Sequence, residues 1–197
     1  LQHYALGRDI EIAVIDGARR LGNGLTFPAG PLREKVGRLD EVDWVVCNSR
    51  PLDLVRDETV MHLEADGFIN LETGKRIETA EMLFKHKRVK AVCGIGNPRR
   101  FLSSLGDLGF VVDPQIFKDH HEFVESDLVS LDEIPIVCTE KDAIKIQNLE
   151  ISKANIFYLK VSVSMSSEAS EKLVSLLSRR EIEPLQRQDE VPKTKVN

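Results

Sequence analysis

Cysteine is scarce in this sequence: Cys47, Cys93 and Cys138 are the only thiols in 197 residues, far apart and without a Cys-x-x-Cys pair. That excludes a disulfide framework and a zinc finger and fits a reducing compartment. No apolar run approaches the roughly 18–20 residues needed to cross a bilayer. Positive charge is not in excess either. The 27 Lys and Arg are outnumbered by 32 Asp and Glu, for a net charge of −5, which argues against nucleic acid as a partner. Internal repeats and low-complexity tracts are absent. So are a Gly-x-x-x-x-Gly-Lys-[Ser/Thr] phosphate loop and a Gly-x-Ser-x-Gly elbow. A dinucleotide fingerprint begun by Gly94 and Gly96 fails at Arg99, which argues against NAD.

What is present is a globular composition, 42% apolar and 30% charged, long enough for one domain or two small ones. The chain opens on Leu1-Gln2-His3, with neither Met nor a signal peptide, and runs almost at once into a strand. We expect a piece of a longer protein.

Ile10–Ile15 and Val42–Cys47 are apolar runs that read as strands covered on both faces, as in a parallel sheet. Between them, Gly22-Asn23-Gly24 and Pro28-Ala29-Gly30-Pro31 mark an ordered loop. Short apolar segments around Asp66-Gly67 suggest a hairpin, closed by Glu72-Thr73-Gly74-Lys75. Beyond it, strands at Val89–Cys93, Phe110–Val112, Ile134–Cys138 and Ile156–Val161 alternate with helical patterns. One helix is expected after Asn97 as cap and Pro98 at its first position, with Phe101, Leu102, Leu105 and Leu108 on one face and Gly109 as its stop. Thr139 and Asp142 resemble a capping box at another. The last runs from about Ser167 to Arg179, with Ala169, Leu173, Leu176 and Leu177 on one face, and the tail after Pro184 is polar. The fold class is α/β: a three-layer α/β/α sandwich with a mostly parallel sheet.

Three places can carry chemistry. Gly94-Ile95-Gly96-Asn97-Pro98 joins a strand to a helix, where exposed amides attract phosphate or carboxylate, with Arg99 and Arg100 beside it. A plain turn is an equal reading. Asp119-His120-His121 supplies an imidazole base with an orienting carboxylate, or metal ligands, or only a surface loop. Thr139-Glu140-Lys141-Asp142 ends a strand at the edge where α/β sheets bind ligands, although capping explains it as well. The cysteines read as core packing.

In order, Leu1-Gln2-His3, Val14-Ile15-Asp16-Gly17, Gly22-Asn23-Gly24, Pro28-Ala29-Gly30-Pro31-Leu32-Arg33-Glu34, Asn48, Gly94-Ile95-Gly96-Asn97-Pro98-x-Arg100-Phe101, Asp119-His120-His121 and Thr139-Glu140-Lys141-Asp142-Ala143 closely resemble the tetraacyldisaccharide 4′-kinases, the lipid A 4′-kinases of Gram-negative bacteria. The resemblance covers about residues 1–180. It implies ATP- and Mg²⁺-dependent phosphorylation of the 4′-hydroxyl of a tetraacylated glucosamine disaccharide 1-phosphate, giving lipid IVA. The implied partners are the lipid disaccharide and, peripherally, the membrane, at the cytoplasmic face of the inner membrane.

The implied organisation is the remainder of a P-loop kinase domain over 1–57, a β-hairpin linker over 58–75, an α/β domain over 76–182 and a polar tail over 183–197. The family's Walker A loop, catalytic Asp and Mg²⁺-binding Asp pair all fall upstream of Leu1, so no metal ligand is expected in this chain, which would be inactive alone. By the same resemblance His120, with Asp119, pairs with the catalytic Asp. Gln2, His3, Asn23, Arg33 and Glu34 contact substrate, and Gly94, Gly96, Asn97 and Arg100 face phosphate. Arg19, Arg20, Leu21, Leu25 and Phe27 are a place for membrane contact. The competing readings are a non-catalytic module binding a phosphorylated ligand and, with less support, a metal-dependent phosphoesterase.

Overall fold

A computed structural model of the chain describes residues 7–54, 57–128 and 134–181. Gln2, His3 and the tail from 183 to 197 lie outside the described residues. The chain forms two compact units, residues 1–62 with 164–197, and residues 63–163.

In the first unit β1 (Ile12–Asp16), β2 (Trp44–Asn48) and the start of β3 (Thr59–Asn70) are parallel neighbours in that order. All five residues of β2 are buried, as its unbroken apolar run requires for a central strand. Trp44 and Val46 face the C-terminal helix α4 (Ser167–Glu181), packing with Ala169, Leu173 and Leu176. Val45 and Cys47 face Leu21, Leu39 and Leu52 on the other side. The helix was expected inside the second domain. It belongs with the first unit because its apolar face covers β2, and Lys172 donates to the Asp57 carbonyl at 3.1 Å. Leu177, expected on the packed face, is 53% exposed.

The expected hairpin differs in detail. Asp66-Gly67 lies inside β3, where Gly67 takes a φ of +83° that glycine adopts without a Cβ clash, so the chain does not reverse there. The reversal comes after Asn70, whose Oδ1 accepts from the Thr73 amide at 2.9 Å. It leads to the two-residue β4 (Arg76–Ile77), antiparallel to β3 through Phe68 and Ile69.

The second unit continues with α1 (Thr79–Lys85), β5 (Arg88–Cys93), α2 (Pro98–Asp107), β6 (Val111–Ile116), β7 (Ile136–Thr139), α3 (Glu140–Gln147) and β8 (Ile156–Met165). Strands β6, β5, β7 and β8 are parallel neighbours in that order. Alternation along β5 sends Val89, Ala91 and Cys93 to the face covered by α1 and α2, and Val92 to the face covered by α3. Phe101 and Leu105 of α2 are buried there, each contributing about 1.5–3 kcal/mol by leaving water. This is the expected α/β/α sandwich. Pro114 sits in β6, the edge strand, where a missing amide donor is tolerated.

The order matters for function. The chain leaves β5 for β6 on one side and later returns as β7 on the other. The carboxyl ends of β5 and β7 therefore form a switch point, the place where open α/β sheets hold ligands.

Candidate active site

Three segments meet at that switch point: the loop after β5, the turn after β6 and the start of α3. The Phe117 amide donates to the Cys93 carbonyl at 2.8 Å, and the His120 amide to the Gly94 carbonyl at 3.2 Å, so the turn lies directly against the loop. A side chain at Gly94 would be tight. A Cβ there would stand 3.2 Å from His121 Cβ and 3.3 Å from the Lys118 carbonyl oxygen. At Gly96 the nearest atom to such a Cβ is Asp119 Oδ2 at 3.3 Å, so the loop backbone and the Asp119 carboxylate are neighbours.

His120 has a φ of +64°, left-handed for a non-glycine residue and sterically costly. Its amide, bonded to Gly94 and to Asp119 Oδ1 (3.0 Å), holds that conformation. The result is an imidazole 76% exposed, with Nε2 3.9 Å from Asp119 Oδ2. Asp119 also meets Lys141 Nζ at 3.3 Å through Oδ1. Partial burial pushes its pKa up, but the Lys141 bond and charge and the nearby His120 outweigh this and hold it below the usual carboxylate range.

His121 does different work. Its ring stacks on Phe117 (centroids 4.2 Å apart, 14° between planes) and meets Phe123 edge-on at 5.0 Å. Its Nε2 lies 2.9 Å from Asp127 Oδ2, and its carbonyl accepts from Lys145 Nζ at 2.9 Å. Of two adjacent histidines, one is locked into the fold and the other is presented.

Thr139 caps α3 as the sequence suggested: Oγ1 accepts from the Asp142 amide at 3.2 Å and the hydroxyl donates to Asp142 Oδ2 at 2.7 Å. Asn97 stands at the N-cap of α2, but its side chain makes no capping bond. Arg100 lies in the first turn of that helix. The second unit thus brings together Gly94, Gly96, Asn97, Asp119 and His120 from the sequence-derived set.

The first unit holds the others that are described. Asn23 braces its own loop, donating from Nδ2 to the Ala29 carbonyl at 2.9 Å and accepting from the Leu25 amide at 3.1 Å. Arg33 and Glu34 line a cavity of about 350 Å³ with Val14, Asp16, Arg20 and Arg38. Glu34 lies 3.8 Å from Arg38, which also pairs with Glu11 and Glu41. Sequence reasoning missed Lys145, Asp127 and Phe117. The only local signal was Lys145 standing three positions beyond Asp142, one helical turn along.

The chain matches the family model of LpxK, tetraacyldisaccharide-1-P 4′-kinase, over residues 1–179. A tetraacyldisaccharide 4′-kinase of Nitrosococcus oceani is 41% identical over 181 residues, covering 91% of this chain and 51% of that protein. Its counterpart in Francisella tularensis subsp. novicida is 40% identical over 175 residues, covering 84% and 53%. A crystal structure of the "apo" form of LpxK from Aquifex aeolicus in complex with ATP shares the fold with a TM-score of 0.67 at 25% identity, covering 90% of this chain and 54% of that one. The chain therefore spans about half the length of the relatives it matches. Since the matched stretch takes in both units and every loop described above, the chain belongs to the tetraacyldisaccharide-1-P 4′-kinase family.

Proposed function

We propose that this chain is the C-terminal part of a kinase that transfers the γ-phosphate of ATP to the 4′-hydroxyl of tetraacyldisaccharide 1-phosphate, a step of lipid A biosynthesis. The observation that carries this reading is His120: within a chain of this family, one imidazole is held in a costly backbone conformation and presented to solvent beside a carboxylate.

Phosphoryl transfer asks mainly for positioning and charge neutralisation. His120 pairs with a catalytic carboxylate supplied by the part of the relatives that this chain does not span, and the pair receives the hydroxyl proton. Asp119, tied to Lys141, keeps the turn in register. The Gly94 amide, expected to face phosphate, is instead taken by Asp142 Oδ2 at 3.1 Å, so it is the end of this loop, where Asn97 opens α2 with Arg100 in the first turn, that faces a phosphate group. Arg33, Glu34 and Asn23 are the proposed contacts to the disaccharide head group; Gln2 and His3, expected to join them, are outside the described residues.

ATP and Mg²⁺ are the proposed co-reactants, held by the unspanned part. Among the described residues no group of three His, Cys, Asp or Glu side chains gathers to hold a metal. The described residues do not fit the ion, and no step here runs through it. The enzyme works peripherally at the cytoplasmic face of the bacterial inner membrane. The braced loop that exposes Leu25 and Phe27 supports membrane contact in the first unit. Incubating the longer protein with ATP and tetraacyldisaccharide 1-phosphate tests the reading. A 4′-phosphorylated product that requires ATP supports it, and glycolipid binding without turnover would favour a non-catalytic module.

A further inference from the structure

Asp142 carries more than a helix cap requires. Its carboxylate is wholly buried, and Oδ1 has no hydrogen-bond partner. Burying a charge with an unmatched oxygen is costly. Capping alone does not demand it, because Thr139 Oγ1 already accepts the Asp142 amide. The carboxylate reaches outward from α3 instead. Oδ2 accepts the Gly94 amide at 3.1 Å, and the Gly94 carbonyl accepts the His120 amide at 3.2 Å. A second arm starts from Oδ1, 3.9 Å from Lys145 Nζ, which donates to the His121 carbonyl at 2.9 Å. The two arms reach the backbone at His120 and at its neighbour, and His120 is the one residue of that turn with a positive φ.

We propose that Asp142 is a positioning residue for phosphoryl transfer, acting through the 118–121 turn to set where the His120 imidazole is presented. This rests on the kinase reading above. Asp142 touches no reacting atom. It fixes the Gly94 loop and the His120 turn against each other, so the loop that leads into α2 and the imidazole that faces the hydroxyl share one buried anchor. Displacements near 1 Å at a reacting group are enough to lower a rate by orders of magnitude.

The test uses the full-length kinase with Asp142→Asn, Lys145→Met, His120→Ala and the two doubles carrying His120→Ala. Asp142→Asn keeps the shape and an acceptor for the Gly94 amide but removes the charge. Lys145→Met removes the second arm from a partly exposed position and leaves Asp142 in place, so one informative variant remains if the first fails to fold. We expect each single change to lower kcat roughly 10- to 100-fold with KM for ATP within about twofold. On the His120→Ala background each should change the residual rate less than about twofold, because the residue acts through His120. Amide hydrogen exchange at Gly94 and His120 should speed up in both variants, whatever the chemistry. Losses that multiply with that of His120→Ala, or unchanged exchange at both amides, would overturn the proposal. An undiminished rate in His120→Ala alone would instead strike the kinase role of His120, while the exchange data still report on Asp142.

Discussion

His121 Nε2 and Asp127 Oδ2 stand 2.9 Å apart, and this contact separates the roles of two consecutive histidines. It commits the His121 ring to a stack on Phe117 and an edge-on contact with Phe123, which leaves His120 as the imidazole the turn presents. A segment that reads from sequence as a base with its orienting carboxylate, as metal ligands or as a surface loop holds one structural imidazole and one exposed one.

The pair makes stability depend on pH in a defined direction. Burial raises the Asp127 pKa, but bonds from the His121 ring and the Val124 amide lower it further, for a net shift below the usual aspartate value. A depressed carboxyl stabilises the fold above the unfolded-state pKa and loses that contribution as pH falls through its folded value. Asp127→Asn should lower stability by about 1–2 kcal/mol at neutral pH. The gap to wild type should hold down to about pH 5 and close below about pH 4. Urea midpoints across pH read this directly, and a gap that persists undiminished at about pH 3 would contradict it.

The glycines of the β5 loop should respond unequally to alanine. A methyl at Gly94 meets a backbone carbonyl and a fixed Cβ, which cannot yield without moving the turn, whereas at Gly96 it meets only the carboxylate end of Asp119. Gly94→Ala should cost about 1–3 kcal/mol by overpacking, with Gly96→Ala near neutral. Thermal unfolding of both variants gives the comparison, and equal losses would remove the argument.

Thiol chemistry should be silent in the folded chain. All three cysteines are free and buried, and burial pushes the Cys93 thiol up to about 11 and the Cys138 thiol higher still. Iodoacetamide at neutral pH should label them only after unfolding. Rapid labelling of the native chain would show that one of them is accessible and reactive.

Much of this architecture was legible in the residues. The strands β2 and β7 are covered on both faces and therefore appear as apolar runs, and β5 does so but for Lys90. Pro98 and Gly109 bracket α2 because each satisfies a backbone requirement at a helix end. Other features depend on the folded path of the chain. Helix α1 buries only Met82, too little to impose a period, and went unread. Gly67 looked like a turn because its positive φ suits one, yet β4 pairing keeps it within β3. The locking of His121 needed Asp127 to fold back beside it, which six residues of loop do not announce.

The exposed loop of the first unit carries a prediction about membranes. Phe27 is 82% exposed and Leu25 51%, on a loop braced by Asn23. Replacing both with Ser should lower binding of the protein to anionic phospholipid vesicles by roughly 10²- to 10³-fold with no change in folding, since about 2 kcal/mol per inserted side chain is lost and every 1.4 kcal/mol is tenfold. Sedimentation with vesicles is the readout, and unchanged binding would remove this loop as a membrane contact.

The central claim is that His120 serves phosphoryl transfer, and steady-state kinetics of His120→Ala in the full-length protein test it most directly. With ATP and tetraacyldisaccharide 1-phosphate as substrates, the account predicts a kcat lowered by about 10²- to 10⁴-fold, the range for losing a positioned acid–base group, with the circular dichroism spectrum and melting temperature retained. A kcat within about twofold of wild type would contradict it.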